Sequence, residues 1–174
     1  MTGGPVKPLK VVLFVVGMLA VAFSSPASAG DTSVGVRLEF VGGPCISGVV
    51  SQRLGTNTVL KFAVGGFPGI ILRLQANLAF APDRDGTFFG TGGVGYNRYY
   101  RGQANGHSLV ELHSGVGYSW RAGSSAVIAP EAGLLYIPTS ANPWIVDVWK
   151  SNGGTGPKLP LVPYGGVDVL HNAE

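Results

Sequence analysis

The sequence predicts an all-β protein: an antiparallel up-and-down β-barrel of about eight strands, preceded by a cleaved signal peptide. Three observations carry this. Short segments alternate apolar and polar residues with a period of two. Glycine-rich turns separate them, and the chain has 28 glycines without a three-residue period. Charged residues make up only 12% of the 174 residues, about half the ~25% of an ordinary soluble domain.

The first 29 residues have their own grammar. Lys7 and Lys10 precede an apolar run from Val11 to Phe23, then Ser24-Ser25-Pro26, then Ala27-Ser28-Ala29. A positive start, an apolar middle and a small-x-small end form a secretory signal, with cleavage between Ala29 and Gly30. The run is about 13 residues, short of the roughly 20 that a spanning helix needs. Residues 1–29 are therefore assigned to the signal and 30–174 to one barrel domain. Lys7 and Lys10 leave with the signal, so the formal charge of +3 falls to near neutrality. No basic run or stripe remains, which argues against a nucleic-acid partner. Cys45 is the single cysteine, so no intramolecular disulfide can form. It follows Gly42-Gly43-Pro44, far beyond the apolar run, which fits a small buried or loop thiol better than a lipid anchor.

The strands follow in order. Ser33 to Val41 sets Val34, Val36, Leu38 and Phe40 against Ser33, Gly35, Arg37 and Glu39. Ile46 to Leu54 is a weaker segment. Thr58 to Val64 opposes Leu60, Phe62 and Val64 to Val59, Lys61 and Ala63. Ile70 to Phe80 places Leu72, Leu74, Ala76, Leu78 and Phe80 opposite Arg73, Gln75, Asn77 and Ala79. Thr87 to Arg101 is glycine-rich and ends in aromatics. Ser108 to Arg121 opposes Val110, Leu112, Val116, Tyr118 and Trp120 to Leu109, Glu111, His113 and Arg121. Ala126 to Ile137 puts Ile128, Ala132, Leu134 and Tyr136 opposite Glu131. Leu161 to Leu170 sets Val167 and Val169 against Asp168.

The polar faces mix Gly, Ser and Ala with isolated long charged residues, as the crowded interior of a narrow barrel requires. The apolar faces carry aliphatic residues with aromatics near strand ends, the pattern of a lipid-facing band with interfacial girdles. Eight strands place both termini on one side. The connections on that side, near residues 55–57, 82–86 and 122–125, are short; the longest, 101–107 and 138–160, fall on the other.

On these features the chain resembles the small outer-membrane β-barrel proteins of double-membraned bacteria, the eight-stranded OmpA/OmpX-like class, over nearly all of Gly30 to Leu170. The resemblance implies a bacterial outer-membrane location, with short periplasmic turns and longer outer loops. Two departures stand out. The final residues, Val167 to Glu174, carry no terminal aromatic. Pro160 and Pro163 stand at the start of the closing strand, which predicts short pairing there.

The residues that could carry chemistry gather on the polar faces. Arg37, Glu39, Arg73, Gln75, Asn77, Glu111, His113, Glu131 and Asp168 are expected to form an interior network of ion pairs and hydrogen bonds. Unpaired charges in a dry lumen are costly, so cations and anions should interleave. An enzymatic reading would make Glu111, His113 and Glu131 an acid–base group acting on envelope lipid, but it lacks a nucleophile beside the base. Ser114 points opposite to His113. Gly90-Thr91-Gly92-Gly93-Val94-Gly95 matches a nucleotide fingerprint, but strand formers follow it rather than a helix. Its glycines instead relieve crowding where a strand bends in a tight barrel. Three scattered histidines form no metal site. No cofactor is implied.

Trp144 and Trp149 in the long loop, with Tyr99 and Tyr100, are candidates for an interaction surface. The sequence thus points to a plugged membrane barrel without turnover. Its partners would be membrane lipid and, through its loops, an envelope or extracellular partner. Two alternatives stand beside it. One is a soluble periplasmic or secreted lipocalin-like barrel that binds an apolar ligand. The other is the lipid-modifying enzyme.

Overall fold

A computed structural model describes residues 32–41, 43–67, 71–80, 86–101, 105–138 and 161–172. Residues 1–29, the segment expected to be a signal, lie outside them, as do Pro160, Trp144 and Trp149. Eight strands form: β1 Thr32–Phe40, β2 Pro44–Gly55, β3 Thr58–Phe67, β4 Ile71–Phe80, β5 Thr87–Tyr99, β6 Ser108–Ala122, β7 Ala126–Tyr136 and β8 Leu161–Asn172. Each pairs antiparallel with its sequence neighbours, and β8 pairs with β1 to close the barrel. This is the predicted architecture.

Closure runs from Ser33 opposite Asn172 to Phe40 opposite Gly165. The short pairing predicted near the prolines holds on the β1 edge, where the register stops at Gly165, and is corrected on the β7 edge. Pro163 lies within β8, opposite Leu134 of β7, and the β7–β8 register runs the full length of β7. On the other edge β1 ends at Phe40, opposite Gly165, so Pro163 faces no ladder there. A second proline, Pro130, sits inside β7. The β6–β7 register passes from Gly117↔Glu131 to Trp120↔Ile128, omitting the two positions around it.

Alternation decides which side chains look outward. Val34, Val36, Leu38 and Phe40 of β1 are exposed on the outer face, while Arg37 and Glu39 are buried within. The same parity continues around the barrel, with Leu72, Leu112, Val116, Leu134 and Val169 all exposed. Leu60, Phe62 and Ala76 share this outer face but shield one another, joined by Leu78 and Val94 in one cross-strand cluster. Aromatic residues collect on the outer face at both ends. Phe80, Phe88, Tyr118 and Trp120 lie at the short-turn end, with ring centroids 5.0 Å apart for Phe88–Tyr118 and 6.1 Å for Tyr118–Trp120. Phe40, Tyr100 and Tyr136 lie at the other end and are exposed.

Candidate functional site

The lumen is built from strand parity and from room made by glycine. An eight-stranded barrel has an interior just wide enough for side chains. Long residues therefore need neighbours without a Cβ. A Cβ on Gly95 would stand 2.6 Å from both Glu111 Oε1 and His113 Nε2, and one on Gly93 would collide with Asn77 Oδ1. Within the glycine run of residues 90–95, Gly93 and Gly95 thus serve interior packing, whereas Gly90 and Gly92 lie opposite the outward Val116 and Ser114.

All nine residues assigned by sequence to the interior face inward, and none is more than 5% exposed. Eight of them form one continuous network, and Asn77 lines the lumen beside it with its Oδ1 unpartnered. Arg37 Nη1 donates to Asp168 Oδ1 at 3.0 Å, and its Nη2 reaches Glu131 at 3.4 Å and Glu39 at 3.5 Å. Arg73 lies 3.2 Å from Glu39 and 2.6 Å from Glu111. Gln75 Nε2 donates to Glu39 at 3.0 Å. His113 Nε2 is 3.1 Å from Glu111. Cations and carboxylates alternate along this chain, as a low-dielectric lumen demands.

Three features of the network escaped the sequence reading. Lys61 closes one end, donating to Asp168 Oδ2 at 2.7 Å. Its place on the polar face of β3 was visible, but nothing local identified its partner. The Tyr164 hydroxyl donates to Glu131 at 2.5 Å, and its ring lies 5.9 Å from that of His113. The parity of Asp168 was the available signal for Tyr164, four residues earlier on the same face. The third feature is an apolar closure on each side of the ions. Val49, Val59, Ala63, Ala79, Phe89, Val127, Ala129 and Leu170 pack toward the short-turn end. Tyr99, Leu109, Ile137 and Val162 pack at the other. Lys61 Nζ, 4.9 Å from the Phe89 ring centroid, marks one boundary.

Several expectations are refined here. Tyr99 turns inward against Leu109 and Ile137, so of the two adjacent tyrosines it is Tyr100 that stands exposed at the outer edge. Strand parity makes this unavoidable, because consecutive residues face opposite ways. Arg121, on a polar face, is exposed at the end of β6 rather than part of the network. Cys45 is a buried free thiol facing the lumen opposite Glu39. Glu111 and His113 do meet, but Glu131 is engaged by Arg37 and Tyr164. Ser114 is exposed on the outer face. Among the described residues, no group of His, Cys, Asp and Glu is arranged to hold a metal.

Lys61→Met tests the network at its edge. Asp168 would retain Arg37, so we expect a loss of about 1.5–3 kcal/mol, the range for a hydrogen bond to a charged group. Denaturant unfolding in detergent measures it. A change near zero would show that Lys61 is not coupled to the network.

No family model matches the chain, and no curated protein matches it. Among solved structures it is similar to the N-terminal β-barrel domain of Pseudomonas aeruginosa OprF. The match has a TM-score of 0.48 and 11% sequence identity, and covers 80% of this chain and 96% of that one. The closed eight-strand architecture rests on this chain's own registers.

Proposed function

We propose that this protein is an integral outer-membrane β-barrel with a structural or surface-interaction role, a side-chain-plugged interior and no turnover. One observation carries the reading: the usual globular arrangement is inverted. Phe40, Ile46, Phe80, Phe88 and Val116 are each more than half exposed, while Arg37, Glu39, Glu111 and Asp168 are at most 1% exposed. Water would disfavour so large an apolar exterior, whereas hydrocarbon would not. The aromatic rows at both ends suit the two membrane interfaces.

The filled lumen supports a static role. An ion crossing it would have to displace the apolar packing at both ends and the ion pairs between them. A lipocalin-like reading needs an apolar lumen for its ligand, and here the middle of the lumen is ionic. A catalytic reading needs a nucleophile within reach of His113, and the geometry around that ring offers Glu111 and Tyr164.

Fractionation and conductance test the proposal together. We expect the protein in detergent-extractable outer membrane, a gel shift on heating, and no steady conductance in planar bilayers. Recovery in the periplasmic wash would overturn the membrane reading, and stable open channels would overturn the plugged interior.

A further inference from the structure

Arg98 breaks the pattern of the outer surface. It occupies an outward position of β5, opposite Leu72 of β4 and Ser108 of β6. Arg37, Lys61 and Arg73 point inward and each contacts a carboxylate, and Arg53 and Arg121 stand exposed at the short-turn ends of β2 and β6. Arg98 instead donates from Nη1 to Ser108 Oγ at 3.0 Å, an oxygen also 2.7 Å from the Tyr96 hydroxyl. Among the described residues it has no carboxylate partner. Arg98 lies one residue from the end of β5 on the long-loop side, where a charge on a lipid-facing surface is tolerated best.

An apolar furrow runs up to this cation. Ile46, Gly66, Leu72 and Arg98 occupy one cross-strand row over β2 to β5. Gly66 has φ of +137°, and a Cβ there would collide with the carbonyl oxygen of Ile71. The floor between Ile46 and Leu72 is therefore necessarily without a side chain. Phe67, Ile71 and Tyr100 line the rest.

Resting on the membrane reading above, we infer that this furrow and Arg98 form a binding site for a phosphate-bearing anionic lipid, with an acyl chain along Ile46–Gly66–Leu72 and the phosphate on Arg98. Charge complementarity selects this occupant. A guanidinium fork that meets no carboxylate among the described residues matches phosphate oxygens. The apolar groove beside it matches a chain attached to that phosphate.

The test uses the full mature chain. Flotation with phosphatidylcholine vesicles is read first. Native mass spectrometry of the detergent-solubilised protein, titrated with phosphatidylglycerol, is read second. Wild type is expected to retain phosphatidylglycerol in preference to phosphatidylcholine. Arg98→Gln should weaken that retention about tenfold, the scale of one charge-assisted contact. Arg53→Gln, at the exposed short-turn end of β2, should leave it unchanged, and Arg98→Lys should recover part of it. Equal retention by wild type and Arg98→Gln would overturn the site. So would phosphatidylcholine binding as tightly as phosphatidylglycerol. Displacement by millimolar inorganic phosphate would reduce it to a bare anion contact and overturn the lipid assignment. Failure to float with vesicles would overturn the membrane reading itself, a result visible before any lipid is titrated.

Discussion

Arg37→Leu is expected to cost about 3–5 kcal/mol of unfolding free energy, the range for breaking a buried ion pair by removing one partner. Arg37 is 1% exposed and stands within 3.5 Å of three carboxylates: Asp168, Glu131 and Glu39. Each has a second partner, namely Lys61, Tyr164 and Arg73 respectively. Those partners keep their contacts in the variant, but the negative charge that Arg37 offset remains in a dry interior. The measurement is denaturant unfolding in detergent or lipid vesicles. Adding Glu131→Gln to Arg37→Leu removes one of the stranded charges while keeping an acceptor for Tyr164. The double variant should regain at least about 1 kcal/mol, a coupling of the size seen for residues in one network. A single-variant loss below about 1 kcal/mol, the scale of a surface pair, would show that these charges are hydrated and the lumen open to water.

Val116→Arg probes the opposite face. Val116 lies near the middle of β6, is 66% exposed, and has Gly90 and Ala132 as cross-strand neighbours. The added side chain meets no steric obstacle there. In water such a change falls within about 0.5 kcal/mol of neutral. At the midplane of a bilayer it costs about 2–4 kcal/mol, falling to about 0–1 near the interface. Leu161→Arg, at the start of β8 on the long-loop side, supplies the shallow comparison. The expected result is a clear loss for Val116→Arg and a small one for Leu161→Arg, read as unfolding free energies in phospholipid vesicles. Equal small effects at both positions would mean that the apolar exterior does not face hydrocarbon.

Much of the fold was legible because its governing pattern is local. The alternation in Ser33 to Val41 fixes the faces of Arg37 and Leu38 whatever the rest of the chain does. The same holds for Arg73 beside Leu72 and for His113 beside Leu112. Turn positions were legible too, with Gly86, Gly106 and Gly123 at positive φ between strands. The prolines of β8 were harder to read. Whether a missing N–H matters depends on where the neighbouring strand ends, and β1 ends before it reaches Pro163.

The candidate site was legible as a set of residues but not as an arrangement. Aromatic and aliphatic residues in the lumen were the main omission. Phe89, Tyr164 and Leu170 face inward with the charges. The sequence reading gave none of the three a place. Parity counted from a neighbouring charged residue would have placed Tyr164 and Leu170, which flank Asp168 at even spacings, but β5 has no such anchor near Phe89.

By itself, then, the sequence determined which side chains share a face, because a period of two is a property of the extended backbone and needs no partner strand. Only the closed barrel decided which of them meet. Arg37 and Asp168 are 131 residues apart and touch because β8 returns to β1. Closure also sets a fixed lumen volume, and that volume decided where ions could pair and where Phe89 or Tyr99 had to fill the remaining space.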